Sequence, residues 1–439
     1  MKKYFGTDGI RGRYGDKLTE EVAFLLGAVL GKRFAGPCVV GRDTRVSGLS
    51  LFKALEAGLI SSKSYAVDAG VLPTPAVSLL VKEEGFEFGV MITASHNAPI
   101  YNGLKVFGPG GIKLGEKDEI EIEAAMYNEE VKKNLDVGIR VTDDNKELLT
   151  VACQSLTAAK AREIYINELV NSLNDERLYG MKILLDAGNG AAGTVAKEVF
   201  ERLGASATSI NDDGNGVLIN VGCGSESIEG LAKKMEGFDL GFGFDGDADR
   251  VAVVVGDRVV DGDSLLYSLS KGADLKDGVV VGTVMANSVL EKRLSADGKR
   301  LVRTAVGDKY ILDLMMREGY SLGGEQSGHY IFYPERKTGD GILTALKVCV
   351  AFKRGELEFL ELLPQRTVSL FADRSVLKEP KLRELIEKSN KRVVNLLVRM
   401  SGTEPKIRIS AEDGDVRMVD EVLGEFEELI EEFRSMHNS

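Results

Sequence analysis

Short apolar runs alternate with amphipathic segments along most of this chain, and no other feature restricts its fold as strongly. Cys38–Val40, Ala66–Val71 and Phe88–Ile92 have the length and composition of buried strands. Helix-like segments at Leu51–Ser61 and Ala76–Glu84 lie between them, and Thr19 can cap a helix over Glu20 to Arg33. Strand and helix in alternation imply a mostly parallel sheet covered by helices. At 439 residues the chain is too long for one ordinary core, so the pattern divides into units.

The first unit covers 1–152. The second, 153–250, opens on a long helical pattern at 154–173. It continues with a strand from Met181, a Gly-rich turn through Gly193, and the strand Leu240–Phe244. That turn lacks the GxGxxG spacing of a dinucleotide site. The third unit, 251–365, starts with the strand Val251–Val255. Strands at Gly278–Met285 and Leu301–Val306 and helices at Lys309–Glu318 and Gly341–Lys353 follow. The fourth, 366–439, has strands near Thr367–Phe371, Asn395–Val398 and Ile407–Ala411 and an acidic amphipathic helix from about Val419 to Phe433. The expected fold class is α/β: three similar α/β/α domains plus a smaller C-terminal α+β domain.

Composition narrows the function. A net charge of −12 argues against nucleic acid as partner but leaves room for a small anion held by a local Arg/Lys cluster. No apolar run is long enough to span a membrane, and Met1–Gly6 lacks the apolar stretch of a signal peptide. Cys38, Cys153, Cys223 and Cys349 are far apart and form no CxxC, which suggests reduced thiols in a cytoplasm.

Four loops concentrate the chemistry. Thr93-Ala94-Ser95-His96-Asn97-Ala98-Pro99 follows the strand Phe88–Ile92, so Ser95 stands at a strand's carboxyl end, where open α/β sheets bind ligands. A lone loop serine is usually a turn or cap residue, but this one has His96 beside it and Lys105 ten residues on. Asp245-Gly246-Asp247-Ala248-Asp249-Arg250 spaces three carboxylates at alternate positions after a strand. In an extended segment that puts three hard oxygen donors on one face, which suits Mg²⁺. A solvated acidic turn and an Asp-x-Asp nucleophile are the competing readings, while an EF-hand fails because Arg250 and Gly256 occupy its sixth and twelfth positions. Gly323–His329 brings together Glu325, Gln326, Ser327 and His329, groups able to bond sugar hydroxyls, or simply a polar hairpin. Arg399–Arg408 combines an Arg fork, Ser401, Gly402, Thr403 and the further cations Lys406 and Arg408, an anion site in outline or a charged turn. Two more Gly/Arg loops, Phe5–Gly12 and Gly41–Arg45, are unspecific, and the default for Asp43 and Arg45 is an ion pair with each other or with neighbours.

These four loops, in this order, resemble those of the α-D-phosphohexomutases, a family that includes phosphoglucomutases, phosphomannomutases and phosphoglucosamine mutases. The likeness covers essentially the whole chain. The N-terminal FGTDGIRG, the EQSGH form of the sugar loop and Cys223-Gly224-Ser225 look most like the phosphoglucosamine mutase branch. Two departures stand out. Ala98 precedes Pro99 where the family usually has Pro directly after Asn, and Met400 stands where Pro is usual; neither removes a functional group.

The resemblance implies four domains around a central cleft and a phosphoserine at Ser95. It also implies Mg²⁺ held by Asp245, Asp247, Asp249 and the Ser95 phosphate. Lys105 is the implied general acid/base, and Arg11, His96 and Arg250 join the catalytic set; to take a proton as well as give one, Lys105 would need a depressed pKa, which nearby cations could cause. Glu325, Ser327 and His329 would contact the sugar, and Arg399, Ser401, Gly402, Thr403 and Arg408 the non-transferred phosphate. The expected substrate is a hexose or hexosamine phosphate, with a sugar bisphosphate as intermediate and activator. The rival functions are a phosphoglucomutase/phosphomannomutase, a Mg²⁺-dependent sugar phosphatase and a sugar-phosphate sensor without turnover. The acidic C-terminal helix offers a surface for a homodimer, against the plainer reading of a solvated face.

Overall fold

The computed structural model describes residues 4–6, 8–127, 156–272, 275–401 and 405–437. Four sheets succeed one another along the chain, each with its own helices.

In the first sheet the parallel strands Pro37–Arg42, Tyr65–Val71 and Phe88–Ile92 form one half. The other half is antiparallel: Tyr101–Gly108 pairs with Phe88–Ile92 and with Gly9–Arg13, which pairs in turn with Phe5–Gly6. The expected parallel sheet is thus only part of it. Tyr101–Gly108 is a strand absent from the sequence expectations, and Asn102-Gly103 within it has the composition of a turn. Gly103 is instead required inside the strand, since a Cβ there would lie 2.5 Å from the Thr93 carbonyl oxygen. The helix Glu20–Phe34 forms as expected, with Thr19 accepting from the Val22 amide.

The second sheet orders its strands Arg258–Val260, Val251–Val255, Leu240–Phe244, Lys182–Asp186, Ser206–Ile210. Leu240–Phe244 and Val251–Val255 are a β-hairpin in register Phe244↔Val251, so this sheet runs past residue 250 to Val260. The boundary expected at 250/251 is corrected to the far side of that hairpin; an apolar run alone does not say which sheet a strand joins. The boundary expected at 152/153 and Cys153 lie outside the described residues. The third sheet, Arg300–Thr304, Val279–Thr283, Leu322–Gly324, Tyr330–Phe332, is parallel except for its last strand. The fourth has Lys406–Glu412 between Gln365–Phe371 and Asn395–Met400, all antiparallel.

One apolar core runs through the first three units, joining Leu72 and Phe107 to Tyr165, Phe242, Leu322 and Ile342. The fourth unit keeps a separate core of its own around Leu382, Ile407, Val422 and Phe426. It therefore meets the rest of the molecule through surfaces that its core does not bind.

Candidate active site

Ser95 sits just beyond the strand Phe88–Ile92 in a left-handed conformation, φ +51°. That posture is uncommon for a non-glycine residue and needs support from around it. The support is Arg45. Its guanidinium, buried completely, donates to four carbonyl oxygens of the loop: Ser95 at 2.9 Å, Asn97 at 2.8 Å, Ala98 at 2.7 Å and Tyr101 at 2.9 Å. Asp43 balances its charge at 2.9 Å and also accepts from Thr93 Oγ1, which takes the Ser95 amide. Arg45 and Asp43 do pair, as expected, but the pair also supports the serine loop. Asn220 of the second unit adds an amide bond to the Ser95 carbonyl at 2.8 Å. The Ala98 departure is harmless in this light, because residue 98 contributes its carbonyl.

The Ser95 hydroxyl donates to Asp245 Oδ2 at 2.6 Å and lies 3.3 Å from His96 Nδ1. Asp245, Asp247 and Asp249 are all buried and offer carboxylate oxygens within 4.8 Å of one another. They do not converge through the pleat of an extended segment. Asp245–Arg250 is the hairpin loop, turned by a bond from the Ala248 amide to the Asp245 carbonyl with Ala248 at φ +54°. Asp247 Oδ1 and Asp249 Oδ1 are buried with no hydrogen-bond partner among the described residues. Asp249 Oδ1 keeps longer contacts to His329 Nδ1 at 3.6 Å and Arg250 Nε at 3.9 Å, but a buried carboxylate oxygen without a hydrogen bond is still costly, and a cation answers that cost, so the triplet fits a hard divalent metal. Burial, reinforced by Asp247 and Asp249, pushes the Asp245 pKa well up, as expected for crowded carboxylates.

Gly246 packs under the serine. A Cβ there would stand 2.7 Å from the Ser95 carbonyl oxygen. We expect Gly246→Ala to shift the loop and lower turnover about 100-fold, since displacements near 1 Å cost that much. Steady-state rates with unchanged circular dichroism are the check.

Lys105 is a strand residue opposite Met91, fully buried. Its ammonium bonds Asp247 at 2.8 Å, Asp249 at 2.9 Å and Asp8 at 3.0 Å. Burial opposes the charge, but these carboxylates outweigh it and raise the pKa well above the ordinary lysine value. The expected depression by nearby cations is corrected: the neighbours that matter are anions. His96 is held near 4 by burial and by Arg250 and Arg11, so its ring is neutral.

His329, an expected sugar contact, lines the same cavity as Glu325 and has neighbours at both ring nitrogens. The ring is buried, with Nδ1 3.6 Å from Asp249 and Nε2 accepting the Gly339 amide at 2.9 Å and lying 3.4 Å from Asp308. Burial disfavours the charged ring while Asp249 and Asp308 favour it, for a net upward shift. The Gly339 N–H can only donate, however, so the proton rests on Nδ1 toward Asp249. Both nitrogens are committed. Ser327 is exposed and donates to Glu325 Oε2 at 3.5 Å.

Glu325 itself faces a cavity of about 300 Å³ lined by residues of all four units. Arg11, His96, Arg250, His329, Arg399, Ser401 and Arg408 share it, and Ser327 does not. Arg399 and Arg408 are cross-strand partners, a repulsive arrangement unless an anion sits between them. Burial and Arg408 together lower the pKa of Arg399, and Arg408 Nε is buried with no partner among the described residues. Gly402 and Thr403 lie outside the described residues. A larger cavity of about 470 Å³ lies behind the sugar loop and reaches none of the three carboxylates, whereas the smaller one reaches Asp249, so size alone does not mark the site. Sequence reasoning misses Arg45, Asn220, Asp8 and Asp308. The partners that give them a role lie far off in sequence or on another unit, where local spacing says nothing; only the position of Arg45 in a Gly/Arg loop hints at one.

The family description "Phosphoglucomutase/phosphomannomutase, alpha/beta/alpha domain I" matches residues 2–133, domain II matches 163–258 and domain III matches 261–367. A phosphoglucosamine mutase of Thermotoga maritima is 41% identical over 442 residues, covering 98% of this chain and 99% of that protein. One from Streptococcus pneumoniae is 40% identical, covering 96% of each. Among solved structures, a putative phosphomannomutase from Thermus thermophilus shares the fold with a TM-score of 0.73 at 22% identity, covering 97% of this chain and 98% of that one. An N-acetylglucosamine-phosphate mutase in its substrate complex does so at 0.65 and 21%, covering 97% and 96%.

Proposed function

The chain belongs to the phosphoglucomutase/phosphomannomutase family, and from that premise we propose that it interconverts glucosamine 6-phosphate and glucosamine 1-phosphate through a phosphorylated Ser95. The observation that carries the reading is the Ser95 hydroxyl, 2.6 Å from the first of three buried carboxylates, with an Arg pair across the same cleft.

Each half-reaction balances without a cosubstrate. The phosphoryl group leaves Ser95 Oγ as a bond forms to a sugar hydroxyl oxygen, and the hydroxyl proton passes to the neutral ring of His96, whose Nδ1 lies 3.3 Å from Ser95 Oγ. The bisphosphorylated sugar turns over, its other phosphoryl group returns to Ser95 Oγ, and the proton is given back. Positioning and charge neutralisation dominate such transfers. Asp245, Asp247 and Asp249 would hold Mg²⁺, which supplies positive charge to the transferring group. Arg250, whose Nε is buried without a hydrogen bond among the described residues and lies 3.9 Å from Asp249, would add positive charge beside the transferring group. Lys105 adds a further positive charge and bridges Asp247 and Asp249. Its surroundings favour a proton donor over an acceptor. His96 serves as a neutral hydrogen-bond partner of Ser95, and Arg11, fixed to Asp8 at 2.8 Å, adds charge at the cavity wall. Glu325 would bond sugar hydroxyls. Arg399, Ser401 and Arg408, with Gly402 and Thr403, would take the phosphate that is not being transferred. One such site serves either phosphate, which allows both orientations of the sugar. His329 supports Asp249, and Ser327 supports Glu325.

The test is turnover of glucosamine 6-phosphate with Mg²⁺ and a trace of bisphosphorylated sugar, beside glucose and mannose phosphates. We expect preference for the amino sugar, loss of activity on chelation, and recovery on adding a divalent cation. Equal or better use of glucose or mannose phosphate overturns the amino-sugar assignment, and release of inorganic phosphate overturns the mutase.

A further inference from the structure

The side chain of Gln326 follows Glu325 in sequence but turns away from the substrate cavity. Its Nε2 donates to Asp263 Oδ2 at 2.7 Å and to Gln365 Oε1 at 3.1 Å. The assignment of nitrogen and oxygen follows from the partner, since an ionised Asp263 can only accept. Asp263 is buried in the third unit and also accepts the Asn287 amide at 2.8 Å. Gln365 is the first residue of the fourth unit's sheet, and its own amide donates to the Met285 carbonyl at 3.1 Å.

These bonds belong to a polar seam. Asn287 Nδ2 donates to the Leu363 carbonyl at 3.0 Å. Glu412, buried at the end of the strand Lys406–Glu412, accepts the Ser288 amide at 2.9 Å and its hydroxyl at 2.5 Å, at the start of the helix Ser288–Ala296. The fourth unit's core is separate from that of the other three. This seam, at the point where the chain passes from the third unit to the fourth, sets where the fourth unit stands.

We propose that Gln326 is a positioning residue that fixes the distance between the sugar loop and the phosphate-holding unit. Glu325 on one side of the loop and the Arg399–Arg408 pair on the fourth unit must engage one ligand together. Gln326 ties the back of that loop to the root of the fourth unit, through Gln365. Its backbone is equally constrained: a Cβ on Gly262 would lie 2.4 Å from the Gln326 carbonyl oxygen. The residue thus acts on ligand binding without touching ligand. A residue that merely filled space beside Asp263 would leave this distance alone.

The proposal rests on the mutase reading for its kinetic test, so a second readout is independent of it. In Gln326→Leu we expect KM for glucosamine 6-phosphate to rise about tenfold, with kcat held within about twofold, as the unit that binds phosphate loses its register. Gln326→Glu sets two carboxylates face to face and should do worse. Hydrogen exchange across Gln365–Phe371 should be faster in Gln326→Leu, with the first two sheets unchanged. An unaltered KM and an unaltered exchange rate in Gln326→Leu overturn the proposal. A parent enzyme inactive on every hexose phosphate instead overturns the mutase reading and leaves the exchange rates to decide the role of Gln326.

Discussion

Ser95→Ala should reduce mutase turnover by on the order of 10⁴-fold or more, because it removes the oxygen that carries the phosphoryl group between the two half-reactions. The fold should survive. Serine already occupies φ +51° there, so alanine meets the same backbone cost, and the loop is held through its carbonyls by Arg45 and Asn220. Binding should survive too, since Glu325 and the Arg399–Arg408 pair are untouched. The checks are steady-state turnover, intact mass before and after incubation with bisphosphorylated sugar, and calorimetric binding of substrate. A variant that binds ligand and takes up no phosphoryl group matches the proposal. Turnover near the parent's would sink the phosphoserine scheme altogether.

Arg45→Met should be almost as damaging, by a different route. The guanidinium is fully buried, and its removal leaves Asp43 as an uncompensated buried charge and strips donors from four loop carbonyls. Breaking a buried pair in this way costs about 3–5 kcal/mol. Asp43 is the more exposed to this loss because burial already raises its pKa against the help of Arg45 and Thr93. The serine would no longer be held in its left-handed posture, and we expect turnover to fall about 100-fold even where the chain stays folded. Denaturant midpoints measured beside single-turnover phosphoryl transfer separate the two effects. A stable variant with normal transfer would show that Asn220 and Gly246 suffice to seat the loop.

The site is legible in the sequence where its chemistry is local. Asp245, Asp247 and Asp249 lie within five residues, and Ser95 announces itself by standing after an apolar strand with His96 beside it. The alternate spacing predicts the convergence of the carboxylates for the wrong geometric reason, since a hairpin loop gathers them, not a pleat. Lys105 stands out by its spacing, but its environment does not, because the three carboxylates around it come from Asp8 and from a loop 142 and 144 residues away. The neighbours of His329 are hidden for the same reason: a histidine in a polar loop has no visible partner until Gly339 and Asp308 are folded against it. Arg45 reads as an ordinary ion pair because backbone carbonyls carry no sequence signature. The strand Tyr101–Gly108 and the fate of Val251–Val255 show the matching limit for the fold. Periodicity identifies a strand more readily than the neighbour it will choose.

The separate core of the fourth unit has a practical consequence for redesign. Serine, carboxylates and their supports are welded into one apolar body with the sugar loop, so any exchange of parts there must be matched across several surfaces at once. The fourth unit, by contrast, is joined by a narrow band of hydrogen bonds around Gln365 and Glu412. Chimeras that splice the fourth unit of one relative onto the body of another should be tolerated most readily at this seam, provided those few polar partners are transplanted as a set. Ligand repertoire could then be altered module by module while the phosphoryl-transfer machinery is inherited intact.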